Sequence, residues 1–144
     1  MSVVKSDTKI TKGLQDFVGL GCVEETREIF GNKFLMTTIP AASIRRIVVE
    51  CSGLDLAARD RIMKIEILSR AIRSINGHSP FPQDAESSQV TSQEEGVEVI
   101  RKILGNIEQP IIDVLHENYL DLVKAQNEFI EELKKKFEMT KNQS

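Results

Sequence analysis

Apolar and polar positions change rhythm along the chain. Ile29-Phe30 and Phe34-Leu35-Met36 flank Gly31-Asn32, and a glycine that tolerates positive φ between two apolar runs predicts a β-hairpin over about 23–39, with Gly31-Asn32 as a type II′ turn. Pro40 has no amide hydrogen to pair and ends the second strand. A hairpin alone is marginal in water, so its apolar side must lie on the helices that follow or on another chain.

From Ala41 the period becomes helical. Ile44, Ile47, Val48 and Cys51 recur at three- and four-residue steps and predict a helix over about 41–51, ended by Ser52-Gly53. Asp55 can cap a second helix over 55–75. Its residues Ile62, Met63, Ile65, Ile67, Leu68, Ala71, Ile72 and Ile75 cover more than one stripe, so it is expected at the centre, packed on two sides. Asn76-Gly77 reads as the left-handed stop of that helix, with Pro80 and Pro82 preventing its resumption.

The polar stretch 79–93 reads as a mobile linker, and Val97, Ile100, Ile103 and Leu104 predict a short helix over 93–104. Pro110 then opens the longest helix, 109–138, about 40 Å long by helical rise. Leu115, Tyr119, Leu122, Gln126, Phe129, Leu133 and Phe137 form a seam suited to meeting another helix. Gln126 either sets the register of that seam or is a tolerated edge position. Lys134, Lys135 and Lys136 complement the negative end of the helix dipole.

Residues 1–13 read as a flexible arm and 139–144 as a flexible tail. Leu14, Phe17, Val18 and Leu20 make one short apolar turn or strand. Gly19 and Gly21 after it form a joint rather than a phosphate loop, because no Lys-Ser/Thr follows. The expected fold class is mainly α: a single small helical domain over 14–138 with one N-terminal β-hairpin and a long C-terminal helix.

Composition adds bounds. The 144 residues are enough for one core, and 40% hydrophobic with only 5% aromatic residues fits a helical globule rich in Ile, Leu and Val. A net charge of −3 gives no global pull toward nucleic acid or anionic membrane. Cys22 and Cys51 lack zinc-site spacing and read as free thiols. No apolar run approaches the roughly 20 residues of a membrane span, and no secretory h-region opens the chain, so synthesis in the cytoplasm is expected.

Candidate chemistry is sparse. His78 sits in the helix stop, and His116 lies one step from the Leu115 seam, so neither reads as the base of a nucleophile, Cys51 included. Glu24-Glu25, Glu94-Glu95 and Glu131-Glu132 are adjacent pairs whose members point apart on a helix or strand. Arg45, Arg46, Arg59, Arg61, Lys64, Arg70 and Arg73 form the one basic region. Asp60–Lys64 and Glu66–Arg70 are spaced four apart to neutralise it, which disfavours a nucleic-acid surface. The expected catalytic, metal and cofactor sets are empty.

The order of EIFGNKFLMTTIP, ASIRRIVVECSGLD, RIMKIEILSRAIRSINGHSPF and YLDLVKAQNEFIEELKKKF over residues 23–138 resembles the tail assembly chaperones and related baseplate hub assembly proteins of tailed bacteriophages. The resemblance implies a non-enzymatic protein of the host cytoplasm that binds hydrophobic helical segments of the tape measure, hub or baseplate components. A retained structural component of the virion baseplate and a nucleic-acid-binding regulator are the alternatives. Partner-binding residues are then expected among Phe30, Phe34, Met36, Ile39, Leu115, Tyr119, Leu122, Phe129 and Leu133, with self-association through the C-terminal helix as a further expectation.

Overall fold

The computed structural model describes residues 22–81 and 90–143. The expected arm 1–13, the apolar 14–20 segment with its glycine joint, and most of the expected linker lie outside these residues. Two strands, β1 (Glu24–Ile29) and β2 (Asn32–Thr37), lead into α1 (Ala41–Cys51) and α2 (Leu56–Ala71). A third strand β3 (Ile72–Ile75), then α3 (Val90–Gly105) and α4 (Gln109–Gln143), complete the chain. The mainly α architecture with one N-terminal hairpin and a long last helix is as expected.

The hairpin turn sits one residue earlier than the pattern predicted. Ile29 pairs with Asn32, which leaves Phe30 (φ 52°) and Gly31 (φ 77°) as the central residues, a type I′ arrangement rather than II′. Register explains the shift. This pairing places Ile29, Phe34 and Met36 on one face, where all three are buried, and a slip of one residue would turn that face to solvent. Thr38 prolongs the ladder, donating its N–H to the Val23 carbonyl at 3.0 Å and accepting the Val23 N–H on Oγ1 at 3.0 Å.

The expected 55–75 helix is a helix followed by a strand. It stops at Ala71, and Ile72–Ile75 joins β2 antiparallel, giving the sheet order β1-β2-β3 with a register shift between Leu35 and Met36. Asn76 (φ 54°) and Gly77 (φ 82°) form a second turn of I′ type, across which Ile75 and His78 exchange both backbone hydrogen bonds at 3.0 Å. The pair Asn-Gly therefore closes a strand rather than a helix. Asn76 also fastens this turn to the first hairpin: its Oδ1 accepts from the Lys33 N–H at 2.8 Å, and its own N–H donates to the Lys33 carbonyl at 2.7 Å.

Two further boundaries differ. α3 begins at Val90, inside the expected linker, and α4 runs to Gln143, through residues expected as a tail. Central α2 packs against α1, α3 and α4, and α4 also meets β1 and β2. Ile47, Leu68, Ile72, Ile100, Leu104 and Ile112 are essentially inaccessible and tie all of the helices and the sheet into one core.

Candidate partner-binding surface

α4 is about 52 Å long by helical rise over its 35 residues. Among the described side chains, only those of its first half reach the core. Ile112, Leu115, Tyr119 and Leu122 are buried against it, whereas no residue from Val123 to Glu138 is buried. The apolar periodicity continues regardless. Val123, Ile130 and Leu133 are partly exposed, Phe129 is 43% exposed and Phe137 71%, so the helix carries an uncovered apolar stripe beyond the body of the molecule.

Where this stripe meets the body, a groove of about 480 Å³ opens between α4, the start of α1 and α2. Ile39, Ile44 and Ile67 line one side, and Leu120, Val123 and Ile130 the other. Its size lies within the roughly 300–1,000 Å³ of sites that hold ligands or anchoring side chains. The groove's polar groups are few: His116, Tyr119, Gln126 and Asn127.

These polar groups are held by their surroundings. The Tyr119 hydroxyl accepts the Ile39 N–H at 3.4 Å, joining the end of β2 to α4, and burial pushes its pKa up. His116 stacks on Tyr119 with ring centroids 6.3 Å apart. Burial, followed by the nearby Lys64 ammonium, lowers the His116 pKa, so the imidazole is neutral at pH 7 and the groove keeps its apolar character. Gln126, in the middle of the seam, lies beside Cys22 with Nε2 and Sγ 4.0 Å apart.

The residues expected to bind a partner fall into two groups. Phe34, Met36, Ile39, Leu115, Tyr119 and Leu122 are buried, and a partner would reach their full side chains only after the fold opens, although Ile39 and Tyr119 contribute to the groove wall. Phe30 at the hairpin tip is 65% exposed, Phe129 is exposed and Leu133 half-buried. The groove residues Ile44, Leu120, Val123 and Ile130 were outside the expected set. The signal for two of them is that Val123 and Ile130 each follow a seam residue, Leu122 and Phe129, by one position, seven residues apart.

The basic region is largely occupied within the molecule. Arg59 donates to the carbonyls of Ser52 and Leu54, and Arg61 to Gln109 and to the carbonyls of Gly105 and Ile107. Lys64 pairs with Asp60 at 3.1 Å and Asp113 at 2.9 Å. Hydrogen bonding to Asp113 leads the causes that raise its pKa. Glu66 receives Arg70 at 2.8 Å and Arg101 at 2.7 Å, and Arg101 also bonds Glu98. Burial pushes the Glu66 carboxyl up, but the hydrogen bonds and charges of Arg101 and Arg70 outweigh it and leave the pKa below the usual carboxylate range. These contacts fasten α2 to α3 and α4.

Cys51 is buried, with its pKa raised by desolvation and by Glu66 and Glu50, so its thiolate is disfavoured at neutral pH. Among the described residues no group of three or more His, Cys, Asp or Glu side chains is placed to hold a metal ion, and no helix is long and apolar enough to cross a membrane. Comparison of the chain with family models, with curated proteins and with solved structures found no match.

Proposed function

We propose that this protein is a non-enzymatic assembly factor of a phage tail or baseplate, which binds amphipathic helical segments of tail proteins such as the tape measure or hub. The phage setting rests on the order of sequence segments described above. The mode of action rests on the groove beside Ile44 and Val123 and its continuation along the apolar stripe of α4. A helix laid there would place residues at i, i+3, i+4 and i+7 against Ile39, Ile44, Val123 and Ile130, and would cover Phe129 and Phe137 further along. Such binding keeps a greasy segment out of water until assembly proceeds.

Co-expression with the tail genes, followed by capture on a tag, tests this reading. A tape measure, hub or baseplate protein should co-purify, and capture of none of them contradicts it. Mass spectrometry of purified particles separates a released factor from a retained baseplate component, since only the latter would be present in stoichiometric amount.

A further inference from the structure

The apolar groove lies where the described chain begins. Val23 and Thr38 exchange hydrogen bonds at 3.0 Å, and the β1–β2 register, with Glu24 opposite Thr37, then carries Cys22 to the level of Ile39. Ile39 is part of the groove wall. Cys22 Sγ also lies 4.0 Å from Nε2 of Gln126, a second groove residue. The chain that precedes Cys22 therefore starts from the edge of the groove.

That chain is apolar in a matching period. Leu14, Phe17 and Val18 recur at three- and four-residue steps, and Asp16, the one charge between positions 14 and 20, falls on the other side of that period. The reach is sufficient. Along α4 the groove runs from His116 to Ile130, so its two ends lie about 15 Å and about 6 Å from Gln126 by helical rise. Phe17 is five residues from Cys22, a tether of up to about 17 Å.

The chemistry of the groove matches as well. Its wall includes Leu120, which is 50% exposed, and its polar groups His116, Tyr119, Gln126 and Asn127 are all neutral at pH 7, so it favours an apolar occupant over a charged one. We propose that the apolar segment 14–20 of this same chain docks in the groove between α4, α1 and α2, with Phe17 as its anchor, and fills it when no partner is bound. So short a tether holds the segment at a local concentration of about 1 mM, and a contact as weak as about 0.1 mM is then docked roughly ten to one. A helix laid in the groove must displace it. That competition rests on the function proposed above; the docking itself does not.

The chain has no Trp, so Phe17→Trp supplies a single indole. In the 144-residue chain its emission should be blue-shifted. Iodide should quench it about tenfold less than in a free peptide of residues 10–21 carrying the same substitution, the ratio set by the docked fraction. Leu120→Glu and Ile130→Glu each change a groove residue that is not buried, so both should keep the fold by far-UV circular dichroism and return the indole to the behaviour of the peptide. An indole as open to iodide as the peptide's, a blue shift that survives both groove variants, or a shift that grows with protein concentration, as a second copy's segment would produce, would each overturn the proposal. No tail protein enters this measurement, so a docked indole together with failed capture of tail proteins would count against the proposed function alone.

Discussion

Replacing Asn76 by alanine and, separately, by glycine divides two contributions that the turn between Ile75 and His78 combines. Asn76 holds a left-handed backbone at φ 54° while its side chain accepts from the Lys33 N–H at 2.8 Å and donates to Asn32 Oδ1 at 3.0 Å. The residue is exposed, so each side-chain bond contributes near the low end of the usual range, about 0.5 kcal/mol. Glycine removes these bonds but accepts the backbone, for a loss of about 1 kcal/mol. Alanine removes them and adds about 1 kcal/mol of left-handed strain, for a loss of about 2 kcal/mol. At about 4 °C per kcal/mol for a domain of this size, the melting temperature should fall by about 4 °C in Asn76→Gly and about 8 °C in Asn76→Ala. Thermal melts followed by far-UV circular dichroism read both. A helix ending at Asn76 would tolerate glycine at no cost, so an Asn76→Gly variant that melts at or above the parent refutes the role of Asn76 as a clamp between hairpins.

Other substitutions probe other parts of the account. Gly96→Ala would drive a Cβ into the ring of Phe81, which is itself buried, so it should destabilise by about 1–3 kcal/mol despite the better helix propensity of alanine, and much less in a Phe81→Leu background. Because the Glu66 pKa is lowered in the fold, its contribution is present above the unfolded value of about 4.3 and is lost as pH falls through the lower folded value. Glu66→Gln should therefore cost about 1–2 kcal/mol at pH 7 and show a shallower loss of stability in acid, measured by urea unfolding across pH; a parallel pH profile would contradict this. Val123→Glu with Ile130→Glu replaces two partly exposed groove residues, of which Val123 packs on the core, so the pair should lower the melt modestly and partner capture at least tenfold in a pull-down.

Local patterns identified much of this fold, and non-local pairing decided the rest. Ala41–Cys51 follows directly from the spacing of Ile44, Ile47 and Cys51, and the Asp60–Lys64 and Glu66–Arg70 pairs follow from four-residue spacing. Ile72 and Ile75 fit a helix as well as a strand. Their competition is settled by Met36 and Phe34, which face them from 36 and 41 positions away. The grip of Arg101 on Glu66, 35 positions apart, was invisible for the same reason. The seam on α4 was legible as a helix-contacting face, but periodicity alone does not say which half is covered from within. Leu115, Tyr119 and Leu122 are covered by the chain's own core, while Phe129 and Phe137 further along the same seam are exposed.

Hydrogen exchange of α4, alone and with a captured tail protein, addresses the central claim most directly. In the free protein the amides of residues 123–138 should exchange much faster than those of 112–122, since no side chain there is buried. Partner binding should slow the 123–138 amides and those at the start of α1 around Ile44. Protection confined to the β1 edge or to α3, with 123–138 exchanging as in the free protein, would contradict the account.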